Sequence, residues 1–210
     1  MKIILIGPPG SGKGSQAKII EKEFSIPHIS TGNIFRKLMH EDSDLGKKVY
    51  EYMSQAKLVT DTLVMQVIED YFSKEENKNN FLFDGFPRTL YQAVELNKIV
   101  SIDVAILLNT TLDVVAERVL TRRICSCGEV YNTKTYNSNV CKVCSRELVP
   151  RKDDNLNTIT NRFLEYETQT VPVVEYYKKQ GKLRVVDANL SINEVFIEIQ
   201  KILKSILWLH

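Results

Sequence analysis

The sequence predicts an α/β fold in which a five-stranded, mainly parallel sheet carries helices on both faces. Five short apolar runs recur along the chain, and segments with helical period lie between them. The runs are continuous rather than alternating, which is typical of parallel strands that are covered on both faces. Strands that alternate with helices favour a parallel sheet. The five runs are Lys2–Ile6, Pro27–Ser30, Phe81–Asp84, Val104–Leu108 and Leu183–Val186.

A helix is predicted where apolar residues recur on one face of a segment. The segments with this pattern are Ser15–Phe24, Asp61–Phe72, Leu112–Arg122, Asn157–Lys179 and Ile192–Leu207.

Two stretches interrupt the alternation of strands and helices. Residues 31–60 have helical pattern but no strand, and residues 121–154 are rich in Cys, Asn and Thr with little helical period. Both are too long for ordinary connections, and long insertions in a compact domain are often lids or binding loops.

Composition excludes several classes of protein. The 210 residues are 43% hydrophobic and 26% charged, an ordinary balance for a globular protein. Lys and Arg number 28 against 26 Asp and Glu, so the net charge of +2 does not favour a nucleic-acid coat or a polybasic membrane anchor. The first apolar run is too short for a signal peptide or a membrane span, so we expect a cytoplasmic protein.

The motif Gly7-Pro8-Pro9-Gly10-Ser11-Gly12-Lys13 lies between the first strand and the first helix. This is GxxxxGK in the position that a phosphate-binding loop requires. Its glycines let successive N–H groups point at phosphate oxygens, the helix N-terminus adds its dipole, and Lys13 adds a charge. The alternative is a glycine-rich turn with an exposed lysine. Gly14 stands where many such loops have a Ser or Thr that holds Mg²⁺, which weakens a GTPase or motor interpretation.

All four cysteines lie within residues 125–144, as the pairs Cys125/Cys127 and Cys141/Cys144 separated by 13 residues. In a reducing compartment this clustering favours metal over disulfides, and two pairs joined by a loop are typical of a structural Cys₄ zinc site. Four thiolates leave no open position, so the metal would not be catalytic. The alternatives are free thiols or a site with three cysteines and a substitute ligand.

Several motifs together resemble those of adenylate kinase, in that family's order and over nearly the whole chain. They are Gly7–Gln16, Ser30-Thr31-Gly32 with Arg36, Asp84-Gly85-Phe86-Pro87-Arg88 and Arg151-Lys152-Asp153-Asp154. Residues 121–154 resemble the long bacterial lid that holds a structural zinc. The chain departs from the family at Asn33, where Asp is frequent, and at Cys125-Ser126-Cys127, where zinc lids have C-x-x-C.

The resemblance implies a monomer that catalyses ATP + AMP ⇌ 2 ADP with Mg²⁺. It implies a core of residues 1–29, 60–120 and 155–210, a monophosphate-binding insertion at 30–59, and a lid at 121–154. The Phe86–Pro87 bond resembles one that is cis in the family.

The resemblance also assigns residues to each substrate. For ATP they are Gly10, Ser11, Gly12, Lys13, Gly14, Ser15, Arg118, Arg122 and Leu190. For AMP they are Thr31, Arg36, Lys57, Leu58, Val59, Gly85, Arg88, Gln92, Arg151 and Arg162. The catalytic set is Lys13, Asp84, Arg88, Arg122, Arg151 and Arg162, and the zinc ligands are Cys125, Cys127, Cys141 and Cys144.

The chemistry of these side chains agrees with phosphoryl transfer. Arginine binds phosphate through a planar fork that stays charged. Asp84 ends an apolar strand, where a carboxylate reaches the ligand crevice of an open α/β sheet and binds Mg²⁺ directly or through water. No side chain has the setting of a general base, and the three histidines fit no site. The attacking phosphate oxygen is already ionised, so catalysis is expected to rest on positioning and charge.

Three other functions compete with this interpretation. A kinase for UMP or CMP would share the core, although the long lid and Gln92 favour AMP. A zinc-ribbon protein that binds nucleic acid is disfavoured by the near-neutral charge and the lack of aromatic stacking motifs. A signalling switch is disfavoured because no guanine-recognition motif is present.

Overall fold

The computed structural model describes residues 1–54, 59–73, 79–151 and 154–207, with only the backbone given for Asn33, Arg36, Met53 and Ser54. The strands are β1 Lys2–Ile6, β2 His28–Ser30, β3 Phe81–Asp84, β4 Val104–Asn109, β5 Arg122–Ile124, β6 Val130–Asn132 and β7 Leu183–Asp187. The helices are α1 Lys13–Phe24, α2 Thr31–Leu38, α3 Asp44–Ser54, α4 Asp61–Phe72, α5 Leu90–Ile99, α6 Leu112–Leu120, α7 Leu156–Glu165, α8 Val171–Lys179 and α9 Ile192–Leu207.

The predicted parallel sheet is confirmed, with the strand order β2-β3-β1-β4-β7. All four neighbouring pairs are parallel, and Leu5 of β1 lies beside Asp84 of β3. The chain leaves β1 toward β2 on one side and later passes from β3 to β4 on the other. This order places a ligand crevice at the carboxyl ends of β1 and β3. β2 begins at His28 rather than Pro27, because a proline has no N–H to donate to the ladder.

Successive residues of each strand point to opposite faces of the sheet, and both faces are covered. Ile4, Phe81 and Phe83 pack on one face with buried residues of α4, α5 and α8. Ile3 and Leu82 pack on the other with buried residues of α1 and α9. This two-sided burial is the reason that the strands are continuously apolar in sequence.

Several helices differ from the sequence analysis. The helix predicted over Leu112–Arg122 ends at Leu120, and Arg122 instead begins β5. The sequence analysis does not predict α5, because its buried face includes Gln92 and the small Ala93 beside Leu96, which leaves little apolar period.

The helix predicted over Asn157–Lys179 is interrupted. One π-helical turn, Tyr166–Thr170, separates α7 from α8. The turn precedes Pro172, which cannot donate a backbone hydrogen bond and whose ring would clash with the Thr168 carbonyl in a regular helix. The Thr168 hydroxyl donates to the Leu164 carbonyl at 2.9 Å. The wider turn therefore accommodates the proline without ending the helix.

The two long insertions form separate small units. In 31–54, α2 and α3 pack on one side of α4 through Leu38, Val49, Leu63 and Val67. In 121–151, β5 and β6 form an antiparallel pair, which the sequence analysis does not predict. Its small cluster contains Cys125, Cys141 and Leu148. Across the described parts of the chain, we find no helix with the length and hydropathy that a membrane span requires.

Candidate active site

The phosphate loop, residues 7–13, joins β1 to α1 at the crevice. Gly10 has φ of 84°, in the left-handed region that favours glycine. A Cβ on Gly10 would lie 2.9 Å from Val119 Cγ2 and 3.0 Å from Val115 Cγ1 of α6. Glycine is thus required here by both the backbone conformation and the close approach of α6.

The Lys13 side chain folds back over the phosphate loop. Its Nζ donates hydrogen bonds to the carbonyls of Gly7 at 2.7 Å and Pro8 at 2.8 Å. Burial lowers the pKa of Lys13 to about 8; Asp84 opposes this shift and Arg88 adds to it. A phosphate group beside Nζ would favour the charged form and raise this pKa.

Asp84 lies at the carboxyl end of β3 among cationic groups. Burial raises its pKa, but His28, Lys13 and Arg88 outweigh that effect and hold the pKa below its ordinary value. Its Oδ2 lies 3.6 Å from His28 Nε2. A Cβ on Gly14 would lie 3.4 Å from Asp84 Oδ2, so the absence of a side chain at Gly14 leaves this carboxylate room.

His28, which the sequence analysis assigns to no site, lies beside Asp84. Its ring is largely buried, and Nε2 makes no hydrogen bond to any residue that the structure describes. The only sequence signal for this neighbour is the place of His28 in the second apolar strand, next to the strand that ends at Asp84.

Thr31, Gly85 and Arg88 meet next to Asp84, which directly precedes Gly85 in the chain. The Gly85 carbonyl accepts hydrogen bonds from Arg88 Nε at 2.8 Å and from Thr31 Oγ1 at 3.3 Å. The Arg88 carbonyl accepts one from the Thr170 hydroxyl at 2.9 Å. Arg162 of α7 is near enough to influence the Arg88 charge. The Phe86–Pro87 bond is cis, as the resemblance implies.

The buried Gln92 amide is held by neighbours at the starts of two helices. Its Oε1 accepts the Arg88 N–H at 2.7 Å, and its Nε2 donates to Asp61 Oδ1 at 2.8 Å. Asp61 Oδ2 also accepts from the hydroxyl of Thr89, the N-cap of α5, at 2.8 Å. The contacts within the described part of the chain leave Gln92 one N–H and one lone pair for a ligand. Asp61 and Thr89, which the sequence analysis misses, fix its orientation.

The other residues assigned to ATP, and the arginines of residues 121–154, make the following contacts. Arg118 donates to the Leu190 carbonyl at 3.3 Å, so these two residues predicted for ATP are in contact. Arg122 forms a two-point ion pair with Asp154, whose side chain is 2% exposed. Arg151 is exposed, and its carbonyl accepts the Asp154 N–H at 3.0 Å.

Part of the predicted AMP site cannot be compared with the structure. Lys57 and Leu58 lie outside the described residues, and for Arg36 only the backbone in α2 is described. Val59 packs partly buried between the core and the α2–α3 unit.

The four cysteines converge in the lid. Their Sγ atoms all lie within 4.8 Å of one another, with Cys125 and Cys144 at 3.4 Å and Cys127 and Cys141 at 3.6 Å. Tetrahedral Zn–S bonds of about 2.3 Å would separate the sulfurs by roughly 3.8 Å, so this donor set fits zinc. The one-residue spacing of Cys125 and Cys127 does not prevent the convergence.

Comparison with known proteins agrees with this geometry. A family model described as "Adenylate kinase" matches residues 5–182. The chain belongs to the adenylate kinase family. Among proteins named adenylate kinase, it is 44% identical to one from Clostridium perfringens, over 98% of this chain and 99% of that protein. It is 42% identical to those of Clostridium kluyveri (93% and 94% covered) and a Thermoanaerobacter species (97% and 98%).

Proposed function

We propose that the protein catalyses the reversible transfer of the γ-phosphoryl group of ATP to AMP, which produces two ADP. The observation that carries this proposal is the cationic crevice at the ends of β1 and β3. There Lys13 and Arg88 lie near Asp84, and Arg162 lies near Arg88. Polyanionic substrates need such a concentration of cations, and membership of the adenylate kinase family supports the choice of ATP and AMP.

On the donor side, the N–H groups of residues 10–15 and the N-terminus of α1 would bind the ATP phosphates. Lys13 would exchange the Gly7 and Pro8 carbonyls for phosphate oxygens. That exchange replaces neutral acceptors with charged ones, which form stronger hydrogen bonds. Arg118 would stack on the adenine of ATP, and the neighbouring Leu190 carbonyl would accept a hydrogen bond from the adenine.

On the acceptor side, Arg88 and Arg36 would hold the AMP phosphate, and Gln92 would use its free N–H and lone pair on the adenine edge. Because Asp61 and the Arg88 N–H already orient the Gln92 amide, AMP would meet a pre-set donor and acceptor. The remaining contacts proposed for AMP come from Thr31, Lys57, Leu58, Val59, Gly85, Arg151 and Arg162.

Catalysis would rest on position and charge. The attacking oxygen of AMP is ionised and needs no general base. Arg122, Arg151 and Arg162 would stabilise the transferring group when residues 121–154 close over ATP. Closure of this lid and of the insertion at 30–59 onto the core at 1–29, 60–120 and 155–210 would exclude water, which otherwise hydrolyses ATP. Arg122 would then exchange its Asp154 partner for phosphate.

Two metals fit the side chains. The Asp84 carboxylate, kept ionised by its cationic neighbours, would hold Mg²⁺ directly or through water. When bound with ATP, Mg²⁺ neutralises charge on the phosphates. Cys125, Cys127, Cys141 and Cys144 would hold one structural Zn²⁺, which supplies folding free energy to a lid with a very small core. The expectations of a cytoplasmic monomer that binds neither nucleic acid nor membrane stay predictions.

A coupled assay with ATP, AMP and Mg²⁺ tests the activity, with UMP and CMP as competing acceptors. Arg88→Ala is expected to raise KM for AMP and lower kcat, roughly 10²–10³-fold if the charge acts in the transition state, with a smaller effect on ATP. Arg184→Ala, an exposed arginine of β7, is the matched control and should retain wild-type kinetics. No transfer to AMP would overturn the function, and a defect confined to ATP would place Arg88 in the wrong subsite.

Metal analysis tests the zinc site separately from activity. We expect about one zinc per chain, and Cys144→Ser should lower both metal content and the melting temperature of the lid, because metal binding contributes folding free energy. Ser126→Ala, which lies between two ligands but carries no thiol, should keep the metal. Metal-replete protein with zinc near zero per chain would refute the Cys₄ site.

A further inference from the structure

The hydroxyl of Tyr131 in β6 lies against one of the four lid cysteines. It is 3.2 Å from Cys141 Sγ and accepts the backbone N–H of Lys142 at 3.0 Å. Because the Lys142 N–H already occupies an acceptor position of this oxygen, the hydroxyl proton is available to point at the sulfur. The Val143 N–H also donates to Cys141 Sγ, at 3.4 Å. With the hydroxyl proton so placed, Cys141 Sγ accepts hydrogen bonds from both Tyr131 and the Val143 N–H.

The two cysteine pairs of the lid differ in their surroundings. Cys141 is buried, with 2% of its surface exposed, whereas Cys127 is exposed. The Cys125–Cys127 pair spans one intervening residue, which gives that part of the site little chain with which to adjust. Of Cys141 and Cys127, Cys141 is the sulfur that the protein surrounds more fully.

We propose that Tyr131 is a positioning residue for the metal ligand Cys141. Its hydroxyl fixes the direction of the Cys141 sulfur and takes up part of the thiolate charge, so that the metal is retained more tightly. Groups that hydrogen-bond to metal ligands typically contribute 10–100-fold to metal affinity. The inference rests on the proposed four-cysteine metal site and adds a residue outside the ligand set.

The lid provides a matched control in Tyr136. The two rings lie 4.7 Å apart, and the Tyr136 hydroxyl donates to the Val140 carbonyl at 2.7 Å. Tyr131→Phe and Tyr136→Phe therefore each remove one hydroxyl that contacts the same segment of backbone. Of the two hydroxyls, that of Tyr131 contacts a sulfur.

The experiment compares zinc affinity of the full-length wild type and both variants by competition with a chromogenic chelator. Tyr131→Phe is expected to bind zinc about 10–100-fold more weakly, and Tyr136→Phe within about threefold of wild type. The second measurement is the sulfur-to-metal charge-transfer band of each protein saturated with Co²⁺. Loss of a hydrogen bond to the thiolate raises the energy of its lone pair, so the band of Tyr131→Phe should move to longer wavelength while that of Tyr136→Phe stays.

The outcomes separate this inference from the metal site itself. If the wild type binds neither zinc nor cobalt, the proposed site fails. If the wild type binds metal, and Tyr131→Phe matches it in affinity and in the cobalt band, the positioning role is overturned while the site stands. The spectrum is recorded at saturating cobalt, so a general loosening of the lid would weaken affinity without moving the band, and that result also overturns the proposal.

Discussion

A partly buried lysine at the end of a glycine-rich loop is the side chain on which the proposed ATP site depends most. Lys13 is held by the Gly7 and Pro8 carbonyls, near Asp84. Burial brings its pKa to about 8, close enough to neutral pH for its protonation to follow substrate binding. Nucleotide phosphates stabilise the protonated form, so binding and protonation of Lys13 are linked.

We expect ATP binding to take up a proton above pH 8 but not at pH 7, where free Lys13 is already charged. As pH rises above about 8, the free enzyme loses its charge on Lys13, and affinity should fall by up to about tenfold per pH unit until the pKa of the bound state is reached. Calorimetric titration at pH 7 and 8.5, in buffers with different heats of ionisation, measures this uptake. In Lys13→Met the uptake should vanish; equal uptake in both proteins at pH 8.5 would contradict the assignment.

At the scale of elements, helix α4 connects two apolar clusters. Val64, Ile68 and Phe72 pack into the sheet core, whereas Leu63 and Val67 pack against α2 and α3. The α2–α3 unit also depends on a close backbone contact at Gly46. A Cβ there would lie 2.5 Å from the carbonyls of both Glu41 and Leu38. Such a contact is shorter than real Cβ atoms tolerate, so a side chain at position 46 must shift α3 away from α2.

Gly46→Ala is expected to destabilise the α2–α3 unit by about 1–3 kcal/mol, the usual cost of overpacking. A shifted unit should also raise KM for AMP more than KM for ATP, if residues 30–59 bind the monophosphate. Thermal unfolding and two-substrate kinetics measure these effects. Lys48→Ala, an exposed position of the same helix, should change stability by less than about 0.5 kcal/mol. Unchanged stability in Gly46→Ala would mean that the two helices separate without cost.

At the scale of the whole molecule, the lid is held to the core from two sides. Lys134 of the lid pairs with Glu117 of α6 at 2.6 Å. Lys18 of α1 donates to the Gly128 carbonyl at 2.8 Å and pairs with Glu129 at 3.0 Å. Gly128 directly follows Cys127, so Lys18 connects the four-cysteine cluster to the core. Both Lys18 and Glu129 are nearly half exposed, and such pairs contribute only about 0.2–1 kcal/mol each.

Lys18→Met is expected to shift the segment 121–154 away from the position that it has in this structure. A loss of about 0.2–1 kcal/mol corresponds to a change of roughly 1.4- to 5-fold in the equilibrium and, with it, in KM for ATP, whereas KM for AMP should stay the same. Energy transfer between dyes on lid and core measures the displacement, and added salt should displace the lid of the wild type more than that of the variant. Lys22→Met on the same helix is the control. An identical dye distance in Lys18→Met and wild type would show that this contact does not hold the lid.

Local pattern was sufficient for much of the architecture. Continuous apolar runs predicted all five strands of the parallel sheet, because a strand covered on both faces must be apolar at every position. The phosphate loop Gly7–Lys13 and the cysteine cluster could also be predicted from the sequence, because each motif lies within a short stretch of chain. The ends of the helices and the π turn before Pro172 could not be predicted as well, because tertiary packing selects among local conformations of similar energy.

The neighbours of these motifs are set by the folded chain. His28 lies beside Asp84, Asp61 orients Gln92, Tyr131 contacts Cys141, and Lys18 reaches Gly128 across 110 positions of sequence. None of these contacts has a fixed sequence spacing, because they join different strands, helices and the lid. A local pattern depends on the few residues that share one element, whereas a side-chain contact depends on how separate elements pack. The motifs can therefore be predicted from the sequence alone. The side chains that orient the motif residues and shift their charge can be identified only in the folded structure, where the sheet, its helices and the lid pack together.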